Sequence, residues 1–192
     1  MAPRIERMTR LDIRAITLDL DDTLWPVWPA ILRAEAALQQ WLEQHCPRTA
    51  ERFPVERMRA LRAQVAEQNP QLAHDFCTQR MLSLQQALRD SGDDHGHAEA
   101  AYEAFFAVRN QVELYADSLT GLRRLGAGRP LAALTNGNAC IGRVGLGEHF
   151  AFSLGAREHG AAKPAPSIFH AACARCGSTA AAKAGSTPNS PT

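Results

Sequence analysis

Asp19 and Asp21 stand one residue apart at the end of the apolar run Ile16-Thr17-Leu18. In an extended chain residues i and i+2 face the same side, so the spacing predicts two carboxylates pointing into one pocket. Two like charges held side by side demand a neighbouring cation or a shared proton. Such a pair supports phosphoryl transfer through a carboxylate: one acid attacks phosphorus, and the other protonates the leaving oxygen and later deprotonates water. Magnesium, with its preference for hard oxygen ligands, would remove the repulsion between the attacking carboxylate and a phosphate. The competing reading is a solvated Asp-Asp turn closing a strand, and so short a motif does not separate the two.

Two further segments bear on that choice. Leu131-Ala132-Ala133-Leu134-Thr135 is a second apolar run ending in a hydroxyl, and Asn136-Gly137-Asn138 follows it. A strand breaking there would offer the Thr135 hydroxyl and the N–H groups of Asn136 and Gly137 to an anion, although an Asn-Gly turn alone explains the same residues. Lys163 precedes Pro164-Ala165-Pro166, an extended, proline-bounded stretch before an amphipathic helix. On its own it reads as an exposed lysine.

Taken in order, these three segments resemble the haloacid dehalogenase superfamily of phosphohydrolases, over about residues 13 to 176. The resemblance implies that Asp19 is the nucleophile, Asp21 the acid/base, Thr135 with the Asn136 and Gly137 backbone the phosphate ligand, and Lys163 a charge stabiliser. It also implies a magnesium ion on the Asp19 carboxylate and the Asp21 carbonyl. True dehalogenases of the superfamily lack an acid at the second position, so Asp21 favours a phosphatase. Asn69-Pro70, His74-Asp75, Thr135 to Ala139, Gly145-Leu146-Gly147 and His159-Gly160 before Lys163-Pro164 are similar to one bacterial branch. That branch dephosphorylates flavin mononucleotide and a ribitylaminouracil phosphate of riboflavin synthesis, so the resemblance implies a small phosphorylated, flavin-like substrate.

One family feature is missing. The family carries a fourth, acidic motif after a later strand, whereas no Asp or Glu follows Glu158 here. The resemblance therefore implies a C-terminally incomplete core, a first strand left at a sheet edge, weak magnesium affinity and impaired catalysis. The alternative reading is a truncated fragment, or a module that binds a phosphorylated ligand without turnover. Residues 178–192 contain no large apolar side chain, and the expectation is a disordered tail.

The elements that must position these residues follow from periodicity. Apolar residues at three- and four-residue steps predict helices over 30–42, 55–65, 72–88 and 98–112, separated by Pro47, Pro54, Asn69-Pro70 and Ser91-Gly92. Beyond them the pattern predicts a helix over 118–125, a strand over 131–135, a short helix over 141–146, a strand over 150–154 and a helix over 166–176. This alternation indicates an α/β fold with a doubly wound, parallel, Rossmann-like sheet and ligands at the carboxyl ends of its strands. The resulting division is a discontinuous core at 1–25 and 115–177, with an all-helical cap inserted at 26–114. Within the insertion, Trp25 and Trp28 read as hinge packing or as a stacking surface, and His74, Asp75, Gln79 and Arg80 as substrate contacts or solvated helix surface. His95-Gly96-His97 reads as an exposed loop.

Composition excludes several classes. The 192 residues carry a formal net charge of +1 and are 45% hydrophobic, which suits a sizeable core and gives no field for nucleic acid or an acidic membrane. The N-terminal Met1-Ala2-Pro3-Arg4 has no apolar segment behind it, so no signal peptide is expected. Five cysteines without secretory context read as reduced thiols in a cytoplasmic protein, and His170, Cys173 and Cys176 as helix-face residues lacking the second ligand pair of a zinc site. Oligomeric state is not encoded in any of these patterns.

Overall fold

The computed structural model describes residues 13–184 of the chain. Three parallel strands, β1 (Ile16–Leu18), β2 (Leu131–Thr135) and β3 (Phe152–Gly155), form a sheet in the order β1-β2-β3. The register places Leu18 opposite Ala133, and Thr135 opposite Gly155. All five residues of β2 are buried. A strand covered on both faces carries an apolar run without polar alternation, which is how 131–135 reads in sequence.

The two covers can be assigned. Leu131 and Ala133 share a core with Leu20, Trp25, Phe150 and Leu122 of α6 (Ser118–Gly126), whereas Leu134 packs with Leu154 and with Ile168 and Ala172 of α9 (Pro166–Ala184). Helices on opposite faces of a parallel sheet make the expected Rossmann-like layering. Two short helices, α7 (Ile141–Val144) and α8 (Ala156–His159), complete this part of the chain.

Between β1 and α6 lie five α-helices: α1 (Val27–His45), α2 (Pro47–Arg52), α3 (Val55–Gln68), α4 (Phe76–Ser91) and α5 (Ala98–Arg109). They bury a core of their own, with Leu38, Leu42, Leu61, Val65, Leu84, Leu88 and Phe105 at its centre. Asp75 caps α4 by accepting the Thr78 N–H at 2.9 Å, and Gly92 closes the same helix in the left-handed conformation at φ +73°. His95–His97 is a single 3-10 turn, and His97 lies edge-on to Trp41.

Three expectations need correction. Strand β1 ends at Leu18, so Asp19 and Asp21 sit in the loop beyond it rather than within it. Six-residue α2 and four-residue α8 were not expected, because so few turns carry no readable period. Helix α9 continues to Ala184, replacing the expected disorder over 178–184 with helix. Its Ala-rich end has high intrinsic helix propensity even without large side chains to bury. The remainder of the expected tail, 185–192, and the N-terminal residues 1–12 lie outside the described residues.

Candidate active site

The loop after β1 is folded tightly by its own backbone. Leu24 N–H and Thr23 N–H both bond to the Leu20 carbonyl, and Asp22 N–H bonds to Trp25 O. Asp22 takes a left-handed φ of 57°, which Asp tolerates better than most residues, and its carboxylate accepts the Val27 N–H at 2.9 Å, at the start of α1. Leu20 and Trp25 are fully buried beneath the turn. Leu20 is buried between them, while Asp19 and Asp21 are each only partly buried.

Each acid meets its own cation. Asp19 Oδ2 lies 2.9 Å from Lys163 Nζ, and Asp19 Oδ1 accepts the Leu20 N–H at 2.9 Å. Lys163 Nζ also donates to the Leu134 carbonyl at 2.7 Å, which ties it to the end of β2. Both Asp21 oxygens accept from Arg109 Nη2 at 2.7 Å, and Asp21 Oδ1 also accepts the Trp25 indole N–H at 2.9 Å. The two positive charges, Lys163 and Arg109, thus answer the two carboxylates. Arg109 is 1% exposed, and its Nε and Nη1 have no hydrogen-bond partner.

The loop after β2 completes the set. Gly137 N–H donates to Thr135 Oγ1 at 3.0 Å, leaving the hydroxyl proton for another acceptor. The Asn136 side chain clamps the lysine segment from both sides: its Oδ1 accepts the Lys163 N–H at 2.7 Å and its Nδ2 donates to the Lys163 carbonyl at 3.0 Å. A Cβ on Gly137 would fall 2.2 Å from Asp21 Oδ2 and 3.4 Å from Thr135 Oγ1, so only glycine lets the two loops come this close. Residues 135–138 line a cavity of about 360 Å³ that also reaches His74, Tyr102, Phe106, Arg143 and Arg157.

All six residues singled out by sequence, Asp19, Asp21, Thr135, Asn136, Gly137 and Lys163, are therefore brought to the carboxyl ends of β1 and β2. Two neighbours were not anticipated. Arg109 pairs with Asp21 across 88 positions. Asn110 accepts the Cys140 N–H at 2.7 Å and so ties the end of α5 to the loop after β2. Both end a helix with an unremarkable polar pattern, and only their burial marks them.

Other candidates divide. Trp25 is hinge packing, while Trp28 is 62% exposed. Asp75 is a helix cap near Arg157; burial pushes its carboxyl up, but the Thr78 bonds and Arg157 outweigh this and hold it below its ordinary value. Gln79 and Arg80 are buried rather than solvated, and His74 borders the cavity at the loop after β2. Cys173 is exposed and Cys176 buried on α9.

Among the described residues no group of three His, Cys, Asp or Glu side chains converges as a metal cluster. Asp21 is fully engaged by Arg109, and Asp19 is the one acid of the pair with substantial exposure, 42% of its side chain. Magnesium commonly binds through one or two carboxylates plus waters and substrate phosphate, so Asp19 fits as a single anchor and not as part of a resident cage. No helix among the described residues is long and apolar enough to cross a membrane.

Comparison with known proteins gives a consistent picture. The chain is 36% identical over 156 residues to the Escherichia coli (strain K12) 5-amino-6-(5-phospho-D-ribitylamino)uracil phosphatase YigB, covering 79% of this chain and 65% of that protein. It thus spans less than two thirds of that relative's length. Among solved structures, a 2-haloacid dehalogenase from Pseudomonas syringae pv. Tomato DC3000 superposes with a TM-score of 0.79 at 37% identity, over 86% of this chain and 73% of that one. The Bacillus subtilis putative HAD-hydrolase YfnB shares the fold at 16% identity, with a TM-score of 0.57 over 84% of this chain and 73% of that one. The family model for haloacid dehalogenase-like hydrolases matches residues 13–187, and the chain belongs to that family.

Proposed function

We propose that this chain is a phosphomonoester hydrolase working through an aspartyl-phosphate. The observation that carries this reading is the convergence of Asp19, Lys163 and the Thr135-Asn136-Gly137 loop at the strand ends, with a second acid, Asp21, against Gly137. Asp19 attacks phosphorus; the P–O bond to the alcohol breaks, and Asp21 delivers a proton to the leaving oxygen. Asp21 then takes a proton from water, which attacks the acyl-phosphate, returns Asp19 as a carboxylate and releases inorganic phosphate. The Thr135 hydroxyl, whose oxygen is held by the Gly137 N–H, and the Asn136 N–H bind the phosphate oxygens, and Lys163 offsets the charge shared between Asp19 and phosphate. To carry a proton, Asp21 gives up one of its two bonds to Arg109.

Magnesium is part of this reading: Asp19, with the Asp21 carbonyl, would hold it, and it would supply charge neutralisation. With one acidic anchor its affinity is weak in the absence of phosphate. Residues 26–114 act as a cap over a core of 1–25 and 115–177, and the cavity beside the phosphate loop receives the part of the substrate next to the phosphate. The similarity to a 5-amino-6-(5-phospho-D-ribitylamino)uracil phosphatase supports a small ring-bearing phosphate of that kind as substrate, and the motif resemblance extends the reading to flavin mononucleotide. The unoxidised cysteines, Cys46 and Cys77 among them, support a cytoplasmic setting.

The dehalogenase name of the Pseudomonas structure favours a second reading, displacement of halide by Asp19. Halide leaves without a proton, whereas an alkoxide needs one, so the second acid supports phosphate esters. Turnover of flavin mononucleotide, an aryl phosphate and 2-chloropropionate, with and without magnesium and beside Asp19→Asn, tests both readings. Magnesium-stimulated phosphate release that vanishes in Asp19→Asn is expected. Halide release alone, phosphate release retained by Asp19→Asn, or no turnover from a folded chain would overturn the phosphatase reading.

A further inference from the structure

A second cavity, of about 320 Å³, opens inside the helical insertion between α1, α3, α4 and α5. It shares Phe76 and Asn138 with the cavity at the phosphate loop, so the two are neighbours along one path from the reacting end. Its lining has no acidic side chain but three arginines, Arg59, Arg62 and Arg80. One carboxylate answers them: Glu35, 5% exposed, accepts from Arg59 Nε at 2.8 Å, and Arg62 Nη1 lies 4.0 Å from its other oxygen.

Arg80 has no such partner. It is 5% exposed, its side chain has no hydrogen bond or ion pair among the described residues, and its guanidinium carbon lies 3.5 Å from the centroid of the Phe105 ring. A ring face offsets only part of the cost of a desolvated cation. Burial, with Arg62 next to it, pushes its pKa below the usual arginine value. A buried donor set kept unpaired at the wall of a cavity marks a place where a ligand completes the bonding. The shape of that ligand is set by its other neighbours. Trp28, at 62% exposure, and Phe76, at 47%, are large aromatic surfaces left open on the same cavity. Exposed aromatics beside unpaired guanidinium donors suit a flat ring edged with acceptor oxygens. A cavity of this size lies at the lower end of the range for small-molecule sites and has room for one ring system rather than a polymer.

We propose that this cavity is a recognition site for the non-reacting end of the substrate, selecting a flat ring that carries acceptor oxygens, as ring carbonyls or a ring carboxylate. Arg80 anchors the oxygens, Arg62 adds a second donor set, and Trp28 and Phe76 flank the ring. The proposal rests on the phosphomonoesterase reading only for what lies at the ligand's other end.

Ligands without phosphate therefore test it separately from catalysis. Riboflavin supplies neutral ring carbonyls and pyridine-2,6-dicarboxylate a ring carboxylate; their binding to the full chain is followed by flavin fluorescence quenching and by calorimetry. At least one of the two binds, and its affinity falls about tenfold or more in Arg80→Met, which keeps an apolar stem on Phe105. Trp28→Ala, at an exposed position that leaves folding intact, weakens the same ligand several-fold, and Arg62→Met falls between. Whichever probe binds identifies the oxygen chemistry. No binding of either probe, or equal binding by wild type, Trp28→Ala and Arg62→Met, overturns the proposal even if the chain hydrolyses phosphate esters. Arginine-dependent ring binding by a chain that hydrolyses none would overturn the catalytic reading and uphold this one.

Discussion

The loops at the sheet ends and the helical insertion handle buried charge differently. At the sheet ends each acid has its own cation, Lys163 for Asp19 and Arg109 for Asp21, and backbone groups take up what remains. In the insertion Arg59 and Arg62 share Glu35, and Arg80 is left with a ring face. Paired charges hold a geometry fixed without a ligand, which suits groups that must meet a reacting atom with little reorganisation. An unpaired cation raises the energy of the empty site and lowers the relative cost of filling it, which suits recognition. The two regions also own separate apolar cores, so each can be perturbed with limited effect on the other.

The comparison is broken most sharply at the acids. Asp19→Asn keeps the shape and removes the nucleophile, so turnover should drop at least about a thousandfold with unchanged circular dichroism. Gly137→Ala is the next largest. Its Cβ would sit 2.2 Å from Asp21 Oδ2, and the displaced carboxylate should lose about a hundredfold in kcat.

The pairing itself is tested by Arg109→Met, which strands Asp21 against a buried wall and should cost about 3 kcal/mol of stability, read as a lower denaturation midpoint. Adding Asp21→Asn should restore much of that loss; a strictly additive double mutant would show that the two do not act as a pair.

The smallest effect lies in the insertion. Asp75→Ala removes the α4 cap and should cost about 1 kcal/mol at neutral pH. Because the folded-state pKa of Asp75 is lowered, its contribution is fully present above the unfolded carboxylate pKa and disappears as pH falls through the folded value. Wild type and Asp75→Ala should therefore converge in thermal stability under strongly acidic conditions.

Legibility in the sequence followed the range of the physics. The run 131–135 announced β2 because a doubly covered strand leaves no polar position, and the long helices of the insertion announced themselves over several turns. The loop after β2 was readable because turn chemistry is local: Thr135, Asn136 and Gly137 are consecutive, and the i, i+2 spacing of Asp19 and Asp21 is likewise a local pattern. The end of β1 was misjudged because the loop is closed by backbone bonds from Thr23 and Leu24 to Leu20, which carry no side-chain signature.

What the sequence determined by itself was the kind of scaffold and which local residues could be candidates for chemistry, since both depend on residue types within a few positions. The tertiary structure alone decided which cation answers which acid. Arg109 meets Asp21 across 88 positions, the Asn136 side chain reaches Lys163 across 27, and Arg80 faces a cavity made by four helices. No local period encodes these meetings, because they arise from the packing of segments far apart in the chain, and burial rather than sequence spacing gives those charges their consequence.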